Sequence, residues 1–141
     1  MVKVRSVEAR VFVHATENRD KVLAALRNVV GDARIEEDVL EGYFGNPIDV
    51  ITAVVEGQQA EEVVLRILSG LSEADRAFLL ATLEDRIDKN GSLHIRLDKQ
   101  KAYLGKFAIS DSDDVIKLQI RLKLKGREDL AELERLIKGE R

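Results

Sequence analysis

Cysteine and tryptophan are absent from this chain of 141 residues, and proline and methionine each occur once. Without cysteine, disulfides, thiolate metal sites and cysteine nucleophiles are excluded together. Aromatic residues make up only 4% of the sequence, which disfavours the aromatic stacking surfaces of single-strand nucleic-acid readers. No apolar run approaches the roughly 20 residues that span a bilayer, and Met1–Arg10 is too charged for a signal-peptide core. We therefore expect a cytoplasmic protein with no membrane association.

Charged residues are abundant, at 35% of the chain against 45% hydrophobic, and they are unevenly distributed. Residues 32–62 contain nine acidic side chains and one basic, whereas residues 86–127 contain eleven basic and five acidic. The net charge of −3 argues against a basic nucleic-acid binder overall but allows one phosphate-binding face. Two oppositely charged surfaces meeting in a dimer fit the same distribution. The length fits one domain over residues 1–141.

The clearest pattern in the chain is the alternation over residues 115–125. Side chains of a strand point to opposite faces in turn, so this stretch predicts one long half-buried strand. The apolar face is made by Ile116, Leu118, Ile120, Leu122 and Leu124, and the polar face by Lys117, Gln119, Arg121, Lys123 and Lys125. The polar face thus carries four cations and no anion, which makes it the main candidate for a functional surface.

Periodicity elsewhere predicts a mixture of strands and helices. Thr16 is expected to cap the first helix and Gly31 to end it, and Ser72 to cap a later helix that buries Phe78. Apolar residues on both faces of 48–56 favour a strand covered on both sides. The predicted strands are 4–14, 34–41, 48–56, 92–98 and 115–125, the predicted helices 17–30, 58–69, 72–84 and 128–138, with a short connection at 99–104 and an edge segment at 107–109. This order predicts an α+β fold, a largely antiparallel sheet with helices packed on one face.

No combination of residues predicts catalysis. His14 and His94 fall on the polar faces of two predicted strands, but no third ligand at metal-binding spacing accompanies them. The aspartates at 111, 113 and 114 lack the loop pattern of calcium sites, so a solvated turn is the simpler interpretation. The glycines of Gly42–Pro47 precede a strand rather than a helix, which argues against a nucleotide cradle. We expect no enzyme, no metal and no cofactor.

Binding is the better-supported class of function. Alternate residues along the polar face of 115–125 lie about 7 Å apart, close to the phosphate repeat of a nucleic-acid strand at roughly 6–7 Å. Phe12 and Tyr103 are the only aromatic candidates for base stacking, so contact with phosphate or with RNA shape is favoured over sequence reading. Two alternatives stay open: a simply solvated sheet face, and a homodimeric structural or protein-interaction module with no RNA role.

Three segments together resemble an archaeal family described as RNA-binding or as a predicted exosome subunit. They are Val13–Glu17, Glu41–Ile48 and Arg96–Gly105, and they follow the family's order across most of the chain. The resemblance implies an α+β fold similar to the 5S-rRNA-binding ribosomal protein. It also implies a homodimer and association with other RNA-processing proteins. No catalytic residues can be carried over, because the family has none agreed.

Pattern and resemblance lead to one hypothesis, a non-catalytic protein that contacts the phosphates of structured RNA through a basic sheet face. Lys99 and Lys101 are included because they follow directly on a predicted strand end, from which they would reach phosphate. The predicted contacts are Arg96, Lys99, Lys101, Lys117, Arg121 and Lys123.

Overall fold

The computed structural model describes residues 2–41 and 47–139. These ranges contain the strands β1 (Lys3–Val13), β2 (Arg34–Glu41), β3 (Pro47–Glu56), β4 (Ser92–Asp98) and β5 (Val115–Lys123), and the helices α1 (Arg19–Val30), α2 (Gly57–Gly70), α3 (Glu73–Ala81), α4 (Leu83–Arg86), α5 (Lys99–Tyr103) and α6 (Arg127–Lys138). Apart from Pro47, the predicted Gly42–Pro47 loop lies outside the described residues. Among the described helices, none is both long and apolar enough to cross a membrane.

The strands form one antiparallel sheet in the order β2-β3-β1-β5-β4. The fold class is therefore α+β, as the sequence predicts. The edge segment is confirmed in part, because Ile109 forms an isolated antiparallel bridge with Leu97 on β4. β5 lies between β1 and β4, so its polar face has a neighbouring strand on each side.

One face of the sheet forms the hydrophobic core with the helices. Val7, Ala9 and Val11 of β1 are fully buried, as are Leu118 and Ile120 of β5. Buried side chains from the helices join the same cluster, including residues of α1, α2 and α6. Burying each such Val, Leu or Ile side chain contributes about 1.5–3 kcal/mol, so the alternation of β1 and β5 fixes which face is covered.

The first helix begins two residues later than predicted. Asn18 is its N-cap, and the side-chain oxygen of Asn18 accepts a hydrogen bond from the Lys21 backbone N–H at 3.2 Å. Thr16 lies instead in a turn in which the Glu17 N–H donates to the His14 carbonyl at 2.9 Å. The predicted end at Gly31 is confirmed, with a positive φ of 73° that glycine adopts without strain.

The predicted helix 72–84 is interrupted at Thr82, which separates α3 from α4. The Thr82 hydroxyl donates to the Phe78 carbonyl at 2.9 Å and accepts from the Arg86 side chain at 2.7 Å. Phe78 is 40% exposed rather than buried, and the Arg86 guanidinium lies 5.4 Å from its ring centre. The Ser72 cap is confirmed, since its hydroxyl accepts from the Asp75 N–H at 3.1 Å.

The expectation that β3 is covered on both sides is confirmed in part. Ile51, Ala53 and Val55 belong to the core cluster, while Val50 and Val54 lie on the opposite face of the sheet. Val50 is only 7% exposed, whereas Val54 is partly exposed. The second apolar row of β3 is therefore partly covered, although it lies outside the main core cluster.

Candidate nucleic-acid interface

The sheet face turned away from the helices is called here the open face. Strand register aligns its side chains in rows across the sheet. One complete row runs, from β2 to β4, through Glu36, Thr52, Arg10, Lys117 and Arg96. Adjacent strands are about 4.8 Å apart, so this row brings three cations side by side over β1, β5 and β4.

The part of the open face on β1, β5 and β4 is the basic half. Its cations are Lys3, Arg5, Arg10, Arg96, Lys117, Arg121 and Lys123, and all except the partly covered Arg96 are exposed. Lys117, Arg121 and Lys123 thus lie where the alternation predicts, on the side of β5 opposite the core. β1 adds Lys3, Arg5 and Arg10, none of which was among the predicted contacts.

A β-bulge on β1 explains how Arg5 reaches this face. Lys3 pairs with Lys123 and Val4 with Leu122, but the next pair is Ser6 with Arg121, so Arg5 is an extra residue. A bulge breaks strict alternation and re-aims a side chain. In the sequence, the visible signal is that Val4 lies out of step with the series Val7, Ala9, Val11 and Val13.

Most cations of the basic half are not neutralised. Within residues 2–41 and 47–139, no carboxylate lies within 4.0 Å of the charged groups of Arg5, Arg10 or Arg121. Lys117 contacts the ring of Phe12, with its ammonium 5.8 Å from the ring centre, an arrangement that leaves the positive charge in place. The basic half therefore presents a positive potential to solvent.

The part of the open face on β2 and β3 is the acidic half. Its residues on β2 are, in order, Arg34, Glu36, Asp38 and Leu40. They pair in the same order with Val54, Thr52, Val50 and Ile48 on β3. Glu37 points to the helix side and pairs with Arg19 of α1. One sheet face thus carries positive charge on three strands and acidic and apolar groups on the other two.

Arg96 is only partly available for a ligand. Its guanidinium donates to the Ser112 carbonyl at 2.9 Å and lies 3.9 Å from an Asp113 carboxylate oxygen. These contacts tie the acidic turn at 110–114 to the edge of the basic half. Arg96 therefore adds positive charge to the open face, while part of its guanidinium is occupied by contacts with the acidic turn.

Lys99 is buried, which corrects the expectation that it reaches phosphate. Only 3% of it is exposed, and its ammonium lies 2.9 Å from Glu17 Oε1, 2.7 Å from Asp114 Oδ1 and 3.1 Å from the Phe12 carbonyl. Burial of an ammonium group requires such partners. Lys99 joins the end of β1, the start of α5 and the acidic turn, and its charge is neutralised internally.

The same contacts affect Asp114. Burial, the largest single cause, raises the pKa of this carboxyl. Hydrogen bonds from Lys99 and Gln100, together with the charges of Lys99 and His14, outweigh it, so the Asp114 pKa lies below its ordinary value of 3.8. Lys101, the other predicted contact beside this network, is exposed on α5. α5 packs against α1, which places Lys101 on the helical layer rather than in the sheet.

The two histidines do not meet. His94 hydrogen-bonds Asp88 at 2.8 Å, and this contact, the largest cause, lowers the pKa of Asp88 together with backbone hydrogen bonds from Ser92 and Asn90. His14 follows β1 and lies near Glu17 and Asp114, a group whose ligand atoms lie within 4.8 Å of one another. The Lys99 ammonium already contacts both of these carboxylates, so a lysine supplies the positive charge of this group.

A model of a protein family described as RNA binding matches residues 6–122 of the chain. The chain belongs to this RNA-binding family. The match runs from Ser6 on β1 to Leu122 on β5. Four of the seven cations of the basic half fall inside it, namely Arg10, Arg96, Lys117 and Arg121.

Two curated archaeal relatives match the chain, and one of them has an RNA-binding name. The chain is 39% identical over 129 residues to the RNA-binding protein PAB1135 of Pyrococcus abyssi, covering 86% of this chain and 84% of the relative. It is 37% identical over 129 residues to the uncharacterized protein MJ0213 of Methanocaldococcus jannaschii, with 86% of each covered.

Solved structures share the fold. The DUF54 protein Mth689 of Methanothermobacter thermautotrophicus superposes with a TM-score of 0.82 at 31% identity, covering 96% of this chain and 98% of that one. Protein AF2318 of Archaeglobus fulgidus, also from DUF54, gives a TM-score of 0.80 at 33% identity, covering 96% and 99%.

Proposed function

We propose that this protein binds structured RNA without catalysing a reaction on it, through phosphate contacts made by the basic half of the open face. The observation that carries the proposal is the exposure of cations on three adjacent strands, most of them without a carboxylate partner among the described residues. Membership of the RNA-binding family supports RNA as the polyanion. Arg10, Lys117, Arg121 and Lys123 are the proposed principal contacts, Arg96 lies at the edge of the basic half, and Lys101 lies outside it on the helical layer.

The spacing of these cations suits a phosphate backbone. Arg121 and Lys123 are about 6.6 Å apart along β5, and Lys117 lies about 13 Å from Arg121 along the same strand. Arg10 and Arg96 flank Lys117 on the neighbouring strands. Phosphate contacts position a protein on nucleic acid but do not specify sequence, so we expect recognition of RNA shape rather than of base order.

The aromatic content of the open face supports this mode of binding. Phe12 is half-buried beneath Lys117, and Tyr103 lies on α5 away from the sheet. Sheet proteins that read single-stranded RNA stack several bases on exposed aromatic rings. The few rings on the described part of the open face fit contact with the backbone of folded RNA better.

The association with the exosome or other RNA-processing proteins is part of the same proposal. It rests on the family resemblance in the sequence, and a protein surface dedicated to such a partner is not assigned. Purification of the tagged protein from native cells, with RNA and protein scored together after cross-linking, tests this part. Recovery of RNA without any RNA-processing protein would remove the association from the proposal.

Charge reversal of three β5 cations tests the proposal directly. The triple variant Lys117→Glu, Arg121→Glu and Lys123→Glu is expected to weaken binding of an RNA hairpin at least about 100-fold and to flatten its salt dependence. The measurement is a fluorescence-anisotropy titration at several salt concentrations. Unchanged affinity in the triple variant would refute the proposed function.

A matched control changes the total charge by the same amount away from the open face. Lys21, Arg27 and Lys106 are exposed on α1 or just after α5, and all three are replaced by Glu. The control is expected to retain most of the affinity, because only long-range repulsion changes. Equal losses in both triple variants would show that net charge, and not the basic half, determines binding.

A second candidate function is a homodimeric interaction module. The observation that favours it is the exposure of two large apolar side chains on the edge strand β2, Val39 at 68% and Leu40 at 51%. Direct β2–β2 pairing is disfavoured, because it would place acidic side chains of the 36–38 run opposite one another. Sedimentation velocity of the wild type and of Leu40→Lys, with and without RNA, separates the candidates: an apolar interface predicts that only self-association is lost.

A further inference from the structure

Two depressions of the open face meet at the same pair of arginines. Arg5, the bulged residue of β1, and Arg121 of β5 line both of them. The larger depression has a volume of about 430 Å³ and the smaller about 260 Å³. The two guanidinium groups therefore stand between two concave surfaces of the size that a nucleotide group can enter.

The two depressions differ in charge. Glu8 and Glu56 line the larger one, and these carboxylates repel a phosphate there. The smaller one has no carboxylate lining and is formed, besides the arginines, by Asn90, Ser92, Gln119 and Leu122. A phosphate held by the arginines is therefore favoured on the side of the smaller depression.

The lining of the smaller depression is suited to a ribose. Gln119 and Asn90 carry amide groups, each of which offers both a donor and an acceptor. Within the described part of the chain, no hydrogen bond occupies either side-chain amide. The 2′-hydroxyl of RNA is both donor and acceptor, and a protein distinguishes RNA from DNA through it.

Two other depressions have cations in their lining. In one, of about 500 Å³, the Arg66 and Arg76 guanidinium groups donate to the backbone carbonyls of Val29 and Leu71. The other, of about 320 Å³, lies between α1 and α5, and its lining includes Lys21 and Lys99. The Lys99 ammonium is neutralised by Glu17 and Asp114, so it offers little charge to an anion. Among residues 2–41 and 47–139, Arg5 and Arg121 have no carboxylate partner of this kind.

We propose that Arg5 and Arg121 together bind one phosphate of the RNA and that Gln119, with Asn90, hydrogen-bonds the 2′-hydroxyl of the adjoining ribose. This inference rests on the proposed function and adds a nucleotide-sized subsite that selects RNA over nucleic acid without the hydroxyl. The planar guanidinium presents parallel N–H groups to two phosphate oxygens, which lysine cannot do. The bulge is the structural device that supplies the second guanidinium.

The experiment compares an RNA hairpin with a 2′-fluoro hairpin of the same sequence, which keeps the A-form geometry and lacks the hydroxyl donor. Arg5→Ala is expected to weaken both ligands about tenfold and to reduce the salt slope by about one. Gln119→Ala is expected to weaken only the RNA hairpin, by about fivefold. Wild type should therefore prefer the RNA hairpin, and Gln119→Ala should bind both alike.

Arg34→Ala is the matched control, because Arg34 lies in the same cross-sheet row as Gln119 but on β2. It should leave both affinities unchanged, and circular dichroism checks that each variant is folded. Equal wild-type affinity for the two hairpins would refute the hydroxyl contact. Full affinity in Arg5→Ala, with binding lost in the β5 triple variant, would refute the arginine pair and leave the proposed function intact. Full affinity in both would refute the proposed function itself.

Discussion

The basic and acidic halves of the open face share one sheet and one backbone geometry but differ in what their side chains offer. On β1, β5 and β4 the outward side chains include seven cations, while on β2 and β3 Arg34 is the one cation among the described acidic and apolar side chains and Thr52. The charged groups of both halves lie outside the core cluster, so the charge difference is available for binding. A protein with a negative net charge can therefore present a local surface that binds a polyanion, because exposed charges more than about 10 Å apart are largely screened at ordinary salt.

Replacing Lys99 tests whether a cation near the basic half stabilises the fold instead of binding a ligand. Lys99→Met is expected to destabilise the protein by about 2 kcal/mol, because it leaves Glu17 and Asp114 close together without their ammonium; the cost is below that of a fully buried pair since both carboxylates are partly exposed. Urea unfolding measures the loss. Lys101→Met on the same helix is the control and should change stability little.

The affinity of Lys99→Met for RNA tests whether Lys99 contributes to stability but not to binding. At a temperature where the variant is folded, its affinity for the hairpin is expected to remain near that of the wild type. A loss as large as that of the β5 triple variant, in a folded protein, would mean that the Lys99 network supports the binding surface after all.

Replacing carboxylates of the acidic half by lysine tests whether the charge difference between the two halves determines where RNA binds. Glu36→Lys with Asp38→Lys extends the basic row across β2, so we expect tighter hairpin binding by about tenfold and a steeper salt slope. The control is Glu61→Lys with Glu62→Lys on α2, which makes the same charge change on the helical layer. An equal gain in both double variants would show that binding follows total charge.

Low pH is expected to weaken the contacts of Asp114 with Lys99 and Gln100. This is the smallest of the predicted effects. The folded-state pKa of Asp114 lies below its ordinary value of 3.8, so its carboxylate stabilises the fold above that pH. This stabilisation is lost as the pH falls through the folded-state pKa. Urea midpoints between pH 7 and pH 3 should fall less steeply for Asp114→Asn than for the wild type, and parallel curves would contradict the assignment.

Much of the fold follows from local pattern, and the failures have identifiable causes. β2 and β4 have the predicted bounds, and β5 differs only at its end. Asn18 rather than Thr16 caps the first helix, and the preceding turn at 14–17 uses Glu17 for hydrogen bonds with the His14 N–H and Lys99. Phe78 is 40% exposed within α3, and Thr82 separates α3 from α4, an interruption that helical periodicity does not reveal.

The candidate site likewise contains residues that the sequence pattern predicts and residues that it does not. Lys117, Arg121 and Lys123 are placed on the outer face of β5 as alternation predicts. Arg10 shares their surface only because β1 pairs with β5 in one register, and strand pairing is not visible in a single segment. Arg5 joins them through a bulge, for which the shifted Val4 is the only signal in the sequence.

The sequence by itself determined the α+β class and the direction in which each regular strand faces, because alternation with a period of two is a local property of the backbone. Only the tertiary structure decided which cations are exposed together and which one is neutralised. The reason is that burial and pairing depend on residues distant in sequence: Lys99 meets Glu17 across 82 positions, while Arg5 and Arg121 meet through the pairing of the first and last strands.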